Sequence, residues 1–221
     1  MSRLPRRHRG FTLVEVLVAI VVMAIMSLMA WQGVDGVVRA RDANQVRLEQ
    51  TLRLETVITQ WEQDLAAVQE STAVPALTCD GQTVRLTRRA EGGMQVVAWA
   101  VRPDSANAMW QRWAGPVVNT TTALQESWFQ TQQFQGSEPG QLRALTGLES
   151  WQVYFFQGNA WANCQSTGNV TGPGGAASGG GAIGGAAPSR QALPGGVRLV
   201  LAFAPGSGLA GSLIRDTQLA P

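Results

Sequence analysis

The sequence predicts an α+β protein, with a long N-terminal α-helix whose first half is transmembrane and whose second half packs on an antiparallel β-sheet. Residues 11–31 are almost entirely apolar and carry a single charge, Glu15. Farther along, apolar side chains between Leu54 and Val68 recur at spacings of three and four, which is the period of one helix face. From Cys79 onward the apolar period changes to two, which is typical of half-buried strands.

Composition and charge exclude several classes of function. All 17 basic residues are Arg, so Schiff-base lysine chemistry and a phosphate-binding P-loop lysine are excluded. The only histidine is His8, which makes His-dependent catalysis and His-rich metal sites unexpected. Four of the Arg residues lie in the first ten positions, so 13 Arg oppose 15 acids in the rest of the chain. We therefore expect no nucleic-acid surface on the folded part.

The N-terminus predicts a basic leader followed by a single-pass membrane helix. Residues 1–10 are polar and Arg-rich, and residues 11–31 would form a helix of about 31 Å, enough to cross a bilayer. The basic flank predicts that Met1 lies in the cytoplasm and that the rest of the chain lies outside it. No small-residue cleavage site follows the apolar stretch. A cut between Gly10 and Phe11 would instead remove the leader and keep the helix.

Glu15 requires an explanation because a lone carboxylate in hydrocarbon costs a few kcal/mol, about 3 on insertion scales. It either lies near the membrane edge and reaches water, or it pairs with a cation inside an assembly. The α-amino group of a processed Phe11, its own or a neighbour's, is the obvious cation, since residues four apart lie one helical turn apart.

The helix is expected to continue beyond the membrane as an amphipathic, periplasmic segment over residues 32–70. Gly33 and Gly36 weaken it and would permit a bend or local melting. The stripe from Leu54 to Val68 is predicted to pack against its own domain. The segment from Val34 to Leu52 has fewer large apolar residues and is the better candidate for contact with partner helices.

Residues 71–221 are predicted to form a periplasmic β-rich domain. A hairpin turn is expected at 91–93, residues 119–141 read as irregular or weakly helical, and residues 167–189 read as a Gly-rich flexible loop. The segment after that loop is too short for a core of its own, so the loop is interpreted as an insertion in one sheet. The predicted strands are Thr83–Thr87, Met94–Val101, Met109–Trp113, Leu148–Phe156, Val197–Phe203 and Ser212–Leu219.

The chemistry-bearing residues are few. Cys79 and Cys164 either pair, closing a loop of about 85 residues, or remain two separate thiols. No catalytic set and no metal-ligand pattern is present, so we predict no catalytic residues, no metal site and no cofactor. The tryptophans read as core and interface anchors, although Trp110, Trp113 and Trp128 lie in stretches that look exposed.

The run Arg9-Gly10-Phe11-Thr12-Leu13-Val14-Glu15, with the apolar stretch behind it, resembles the class III prepilin signal of the type IV pilin and pseudopilin superfamily. The resemblance implies a pilin-like fold. It also implies cleavage between Gly10 and Phe11 by the prepilin peptidase and N-methylation of Phe11. Glu15 would then help to recruit or register subunits in a helical filament.

Three further pieces resemble the J family of minor pseudopilins in type II secretion systems (general secretion pathway protein J). They are the helix end Leu54–Leu65 with Trp61 and Asp64, the strand Val96–Val101 at its spacing to a Trp-containing strand, and the ending from Leu193 to Leu201. The resemblance implies a non-enzymatic subunit, anchored in the bacterial inner membrane, with a periplasmic C-terminal domain. It would cap a pseudopilus with the minor pseudopilins I and K, often with H below them, and would engage secreted substrate or the outer-membrane secretin.

Two other functions were weighed. A minor pilin of a type IV pilus, acting in adhesion, motility or DNA uptake, would carry the same N-terminal signal. A membrane-anchored periplasmic enzyme is disfavoured, because no set of residues in the sequence could carry its reaction.

Overall fold

The first element, α1, is a helix of 54 residues over Leu13–Ala66. In this structure, a computed structural model, residues 11–104, 107–133, 139–165 and 193–219 are described. The helix continues through Gly33 and Gly36, where the sequence predicted weakness. Glycine lowers helix propensity but keeps its N–H, so the hydrogen-bond ladder need not break there.

The rest of the chain forms an eight-stranded antiparallel sheet with one further helix, α2, over Thr121–Gln132. The strand order is β1-β2-β3-β4-β5-β7-β8, and β6 pairs with β5 beside this path. The predicted α+β class, a long N-terminal helix followed by an antiparallel sheet, is confirmed. The strands are β1 (Leu77–Cys79), β2 (Thr83–Ala90), β3 (Gly93–Asp104), β4 (Asn107–Ala114), β5 (Gln141–Gln157), β6 (Ala160–Asn163), β7 (Gly196–Phe203) and β8 (Ser212–Gln218).

The described residues divide into two compact units, with the boundary between Glu49 and Gln50. The first unit holds the N-terminal part of α1. The second holds the last turns of α1 together with the whole sheet. In this second unit one helix face is buried against the sheet, as the stripe from Leu54 to Val68 predicted. Its buried apolar members are Val57, Ile58, Trp61 and Leu65.

The two faces of the sheet carry two separate apolar clusters. On β3, Val97 and Trp99 belong to the larger cluster, which includes the buried face of α1. Val96, Ala98 and Ala100 point the other way and pack with α2. This alternation follows from the two-residue period of a strand. The sheet is therefore covered by a different helix on each face of β3.

Two strands were not predicted. β1 has three residues and β6 has four, too few for a periodic pattern to show. The helix α2 lies where the sequence predicted irregular or weakly helical structure, because its Thr, Gln and Ser residues have no strong helix signal. Its N-terminus is fixed by Thr120, whose side chain accepts a hydrogen bond from the N–H of Ala123 at 3.3 Å. Threonine is a favourable residue for this capping role.

The strands β2, β3, β4 and β5 are each longer than predicted, and the reason is clearest for β3 and β5. β3 continues through Pro103, which pairs with Ala108 of β4. The pairing of β3 with β2 stops at Ala100 and Thr83, so the proline, which has no N–H, interrupts no hydrogen bond to β2. β5 begins at Gln141, before the predicted start at Leu148. This first part pairs with β4 across register shifts, and such irregular pairing hides the two-residue period.

Three tryptophans that the sequence placed in exposed-looking stretches are buried. Trp110 is fully buried in the larger core, and Trp113 and Trp128 pack together in the cluster under α2. The expectation of exposure was wrong because polar neighbours on a strand or helix face solvent while the tryptophan faces inward. The Gly-rich segment 167–189 lies outside the described residues.

Candidate functional site

The predicted processing site lies at the start of α1. Gly10 is outside the described residues, and Phe11 is 87% exposed just before the first helical turn. The scissile position predicted between Gly10 and Phe11 thus adjoins a helix N-terminus. Cleavage and methylation at this position stay predictions.

Glu15 and Thr12 cap the helix reciprocally. The carboxylate of Glu15 accepts hydrogen bonds from the Thr12 backbone N–H at 3.1 Å and from its hydroxyl at 3.0 Å. The N–H of Glu15 in turn donates to the Thr12 hydroxyl oxygen at 3.3 Å. This is a capping box, in which Thr and a Glu three residues later satisfy the free N–H groups of the first turn. The Thr-x-x-Glu spacing is a local signal for this capping role. In the sequence, Thr12 and Glu15 were recognised only as parts of a processing motif, so the cap itself was missed.

The capping box gives Glu15 a position that suits an interaction with a cation. Its negative charge lies at the positive end of the helix dipole, which stabilises an acid there. The carboxylate is exposed, so it can meet a group from outside its own helix. Its pairing with the α-amino group of a processed Phe11, and its role in subunit assembly, stay predictions.

The first unit presents an uncovered apolar surface. Large side chains such as Leu13, Met23 and Trp31 are exposed throughout residues 11–31, and the most apolar window of 18 residues has a mean hydropathy of 2.7 with no residue buried. The helix is long and apolar enough to cross a membrane, which is consistent with an anchor near the N-terminus. In the part of α1 that follows the apolar stretch, Asp35 and Arg39 form an exposed ion pair at 2.8 Å.

A buried carboxylate ties the last turns of α1 to the sheet. Asp64 is fully buried and is chelated by Arg112, whose Nε and Nη2 lie 2.7 and 2.9 Å from its two oxygens. It also accepts hydrogen bonds from Arg88, from the indole N–H of Trp99 at 2.8 Å and from Gln60 at 3.1 Å. Charge-assisted bidentate pairs of this kind fix both distance and orientation. We call Asp64 and these four partners the carboxylate hub.

The hub shares Trp99 with a cluster of three tryptophans. The ring of Trp61 lies 5.6 Å from that of Trp99 and 5.5 Å from that of Trp110, and Trp99 and Trp110 are 4.5 Å apart. The guanidinium of Arg112 lies 5.9 Å from the Trp99 ring centre. The sequence suggested core and interface roles for the tryptophans, and these three are core residues. The hub was missed because its members are spread over 53 positions of the sequence, from Gln60 to Arg112.

The two cysteines are joined. Cys79 at the end of β1 and Cys164 just after β6 form a disulfide with their Cα atoms 5.7 Å apart. Two hydrogen bonds reinforce this junction. Gln165 donates to the carbonyl of Asp80 at 2.9 Å, and the Trp151 indole donates to that of Gly81 at 2.9 Å. The first hairpin of the sheet is thereby fastened to the end of β6.

The loop before β2 also contains an ion pair. Asp80 accepts hydrogen bonds from the N–H groups of Gln82 and Thr83, at 3.0 and 2.7 Å, and from Arg85 at 2.8 Å. Burial raises the pKa of Asp80, but these hydrogen bonds and the charge of Arg85 outweigh it and hold the pKa below its ordinary value. Within the described ranges, no group of three or more His, Cys, Asp or Glu side chains is arranged to hold a metal ion.

Comparison with known proteins bears on the N-terminus. Residues 5–31 match the family model of the prokaryotic N-terminal methylation motif. None of the curated proteins matches the chain. The matched range includes Gly10, Phe11 and Glu15, together with the whole apolar stretch 11–31. The chain therefore carries the N-terminal signal of type IV pilin-like proteins, a structural class that comprises pilins and pseudopilins.

Proposed function

We propose that the chain is a minor pseudopilin of a type II secretion system that belongs to the tip complex of the pseudopilus. In this role it initiates assembly and supports export of folded proteins across the outer membrane, without chemical turnover. The proposal is carried by the N-terminal methylation motif at the start of a long apolar helix that leads into an antiparallel sheet. The partners are the minor pseudopilins I and K, with H below them, and the secretin or the secreted substrates.

The packing of the three J-like segments supports the choice of a J-type subunit. Trp61 and Asp64 come from the helix end, and Trp99 comes from the strand Val96–Val101. The Trp99 indole donates to Asp64 and its ring lies against that of Trp61. The third segment contributes Val197, Leu199 and Leu201 to the same core. Segments that resemble one family are thus in mutual contact and form one structural unit.

The N-terminal residues have defined roles in this proposal. The prepilin peptidase cuts between Gly10 and Phe11 and the new amino group of Phe11 is methylated. The helix then stays in the inner membrane, with the sheet in the periplasm. Glu15 pairs with the α-amino group of a neighbouring Phe11, because a carboxylate in a membrane is stabilised by a cation. The hydrogen bonds from Thr12 hold this carboxylate at the first helical turn, where it is exposed.

Expression of the full chain with and without a prepilin peptidase tests the processing step. Intact mass and N-terminal sequencing should show a mature protein that begins at N-methyl-Phe11 only when the peptidase is present. An unprocessed chain, or a cut after Ala30, would contradict the proposal. A Glu15→Val variant separates processing from assembly. It should be processed normally and yet be incorporated less into the assembly, because the counter-charge for the amino group is gone.

A second experiment separates the secretion pseudopilus from a type IV pilus, whose minor pilins carry the same N-terminal signal. Deletion of the gene should abolish secretion of folded proteins, and the tagged full chain should co-purify with I- and K-type minor pseudopilins. Retained secretion, together with loss of pili or of DNA uptake, would favour the minor pilin.

A further inference from the structure

The last strand of the sheet, β8, has one edge without a partner among the described residues. It ends the strand order and pairs only with β7, through seven consecutive residue pairs from Gly196–Gln218 to Ala202–Ser212. This pairing has no register shift. The strand spans about 23 Å at 3.3 Å per residue. The strand at the opposite edge, β1, has only three residues.

The backbone groups that point outward can be identified from two hydrogen bonds. The N–H of Phe203 donates to Gly211 at 3.1 Å, and the N–H of Leu219 donates to Gly195 at 3.2 Å. In antiparallel pairs the hydrogen-bonded residues alternate, so the odd-numbered residues of β8 bond to β7. The N–H and C=O groups of the even-numbered residues therefore point away from the sheet. These residues are Ser212, Ile214, Asp216 and Gln218.

Within the part of the chain that the structure describes, this edge lacks the usual protection against strand pairing. It has no proline, no lysine and no bulge, which are common means of blocking an edge. Its two charges are engaged within the protein. Asp216 pairs with Arg198 at 2.6 Å, which lowers the pKa of Asp216, and Arg215 lies 3.5 Å from Glu62. Ile214, at the centre of the strand, is 59% exposed.

We propose that the outer edge of β8 receives an extended strand from a different polypeptide, which continues the sheet. A row of alternating N–H and C=O groups at strand spacing is matched only by another strand, and Ile214 offers an apolar contact beside it. A second copy of the chain does not fit the membrane anchor. Antiparallel self-pairing about a two-fold axis normal to the sheet would reverse the helix segment that lies on it. The two copies of residues 50–66 would then run in opposite directions.

Backbone amide hydrogen exchange on the full chain tests this proposal. We would compare the purified protein in detergent with the protein in membranes of cells that produce the complete assembly. The outward amides of Ile214, Asp216 and Gln218 should exchange at least tenfold more slowly in the assembly, whereas the amides of Leu213 and Arg215 should be protected in both. Equal exchange of the outward amides in the two states would overturn the proposal. Protection already in the purified protein, with a dimeric mass, would overturn it in favour of self-pairing.

An Ile214→Pro variant gives a second test, because it removes one outward N–H and leaves the ladder to β7 intact. The matched control is Ile214→Thr, which keeps the N–H and is suited to a strand. Proline should abolish the protection at Asp216 in the assembly and threonine should retain it. If exchange at Leu213 shows that Ile214→Pro disrupts β8, Gln218→Pro at the strand end takes its place. Retained protection at Asp216 in a correctly folded proline variant would overturn the proposal.

The inference does not depend on which filament system contains the chain. Protection of the outward amides in cells that show no secretion defect after gene deletion would support the strand addition and contradict the proposed secretion role. Unprotected amides in a strain that requires the gene for secretion would contradict the strand addition and support the proposed secretion role.

Discussion

Replacement of Asp64 by asparagine should destabilise the second compact unit, which holds the sheet, severely. Asparagine has nearly the same shape, but it is neutral and its amide nitrogen cannot accept a hydrogen bond. Arg88 and Arg112 would then face each other without a counter-charge, with only 22% and 12% of their side chains exposed. Trp99 or one guanidinium would also lose its acceptor. Both effects raise the free energy of the folded state.

The expected size of the effect follows from the burial of the hub. Removal of one partner from a buried ion pair typically costs about 3–5 kcal/mol, since the other charge remains buried and uncompensated. The carboxylate here is fully buried and both of its charged partners are largely so, which places Asp64→Asn in that range. For a unit of this size, about 2–4 °C of melting temperature is lost per kcal/mol, so the shift should be about 6–20 °C.

Thermal and urea unfolding of the full chain in detergent, followed by tryptophan fluorescence, would measure this loss, because three tryptophans adjoin the hub. The matched control is Asp80→Asn. Its ion pair with Arg85 leaves 48% of the Asp80 side chain exposed, so it should cost at most about 1 kcal/mol. A loss below about 1 kcal/mol for Asp64→Asn would refute the reasoning. If Asp64→Asn does cause the expected loss, adding Arg88→Met should recover part of it, because the second substitution removes one uncompensated charge.

Three other predictions concern the sheet and α2. Replacement of Cys79 and Cys164 by serine should lower the free energy of unfolding by about 4–5 kcal/mol in the chain-entropy model, and an unchanged urea midpoint would contradict this. The lowered pKa of Asp80 means that its stabilisation is complete above its ordinary value of 3.8 and disappears as the pH falls through the lower folded value. Melting temperatures from pH 6 to pH 2 should fall less steeply for Asp80→Asn, and parallel curves would argue against the assignment. Thr120→Ala should cost about 1 kcal/mol in urea unfolding, since α2 loses its cap. Thr122→Ala, inside the helix, is the control and should have little effect.

The features that the sequence predicted well are those with a strong local pattern. The apolar run around Glu15, the helical stripe Leu54–Val68 and the run of strand-forming side chains in Met94–Val101 each specify one kind of element through their length, spacing and residue types. The strand β3 and the buried face of α1 follow directly. Where the pattern was weak, the element was missed or left between irregular and weakly helical structure. The three residues of β1 gave no period, and α2 depends on a single cap at Thr120 and on contacts with β3 that no local rule reveals.

In the candidate site, too, the residues that could be predicted are those that form a local sequence pattern. Gly10, Phe11 and Glu15 were found from the sequence because the N-terminal signal is a contiguous motif that is read in linear form. The capping contact between Thr12 and Glu15 could also have been found, since it depends only on a spacing of three residues.

The sequence by itself determined the long apolar helix, the α+β class and the N-terminal signal, since each depends on the pattern of neighbouring residues along the chain. Only the tertiary structure decided that Asp64 meets two arginines and a tryptophan, that Cys79 joins Cys164, and that the outer edge of β8 has no partner among the described residues. These features depend on which strands become neighbours. That choice is made by the packing of the whole sheet, which no short stretch of sequence specifies.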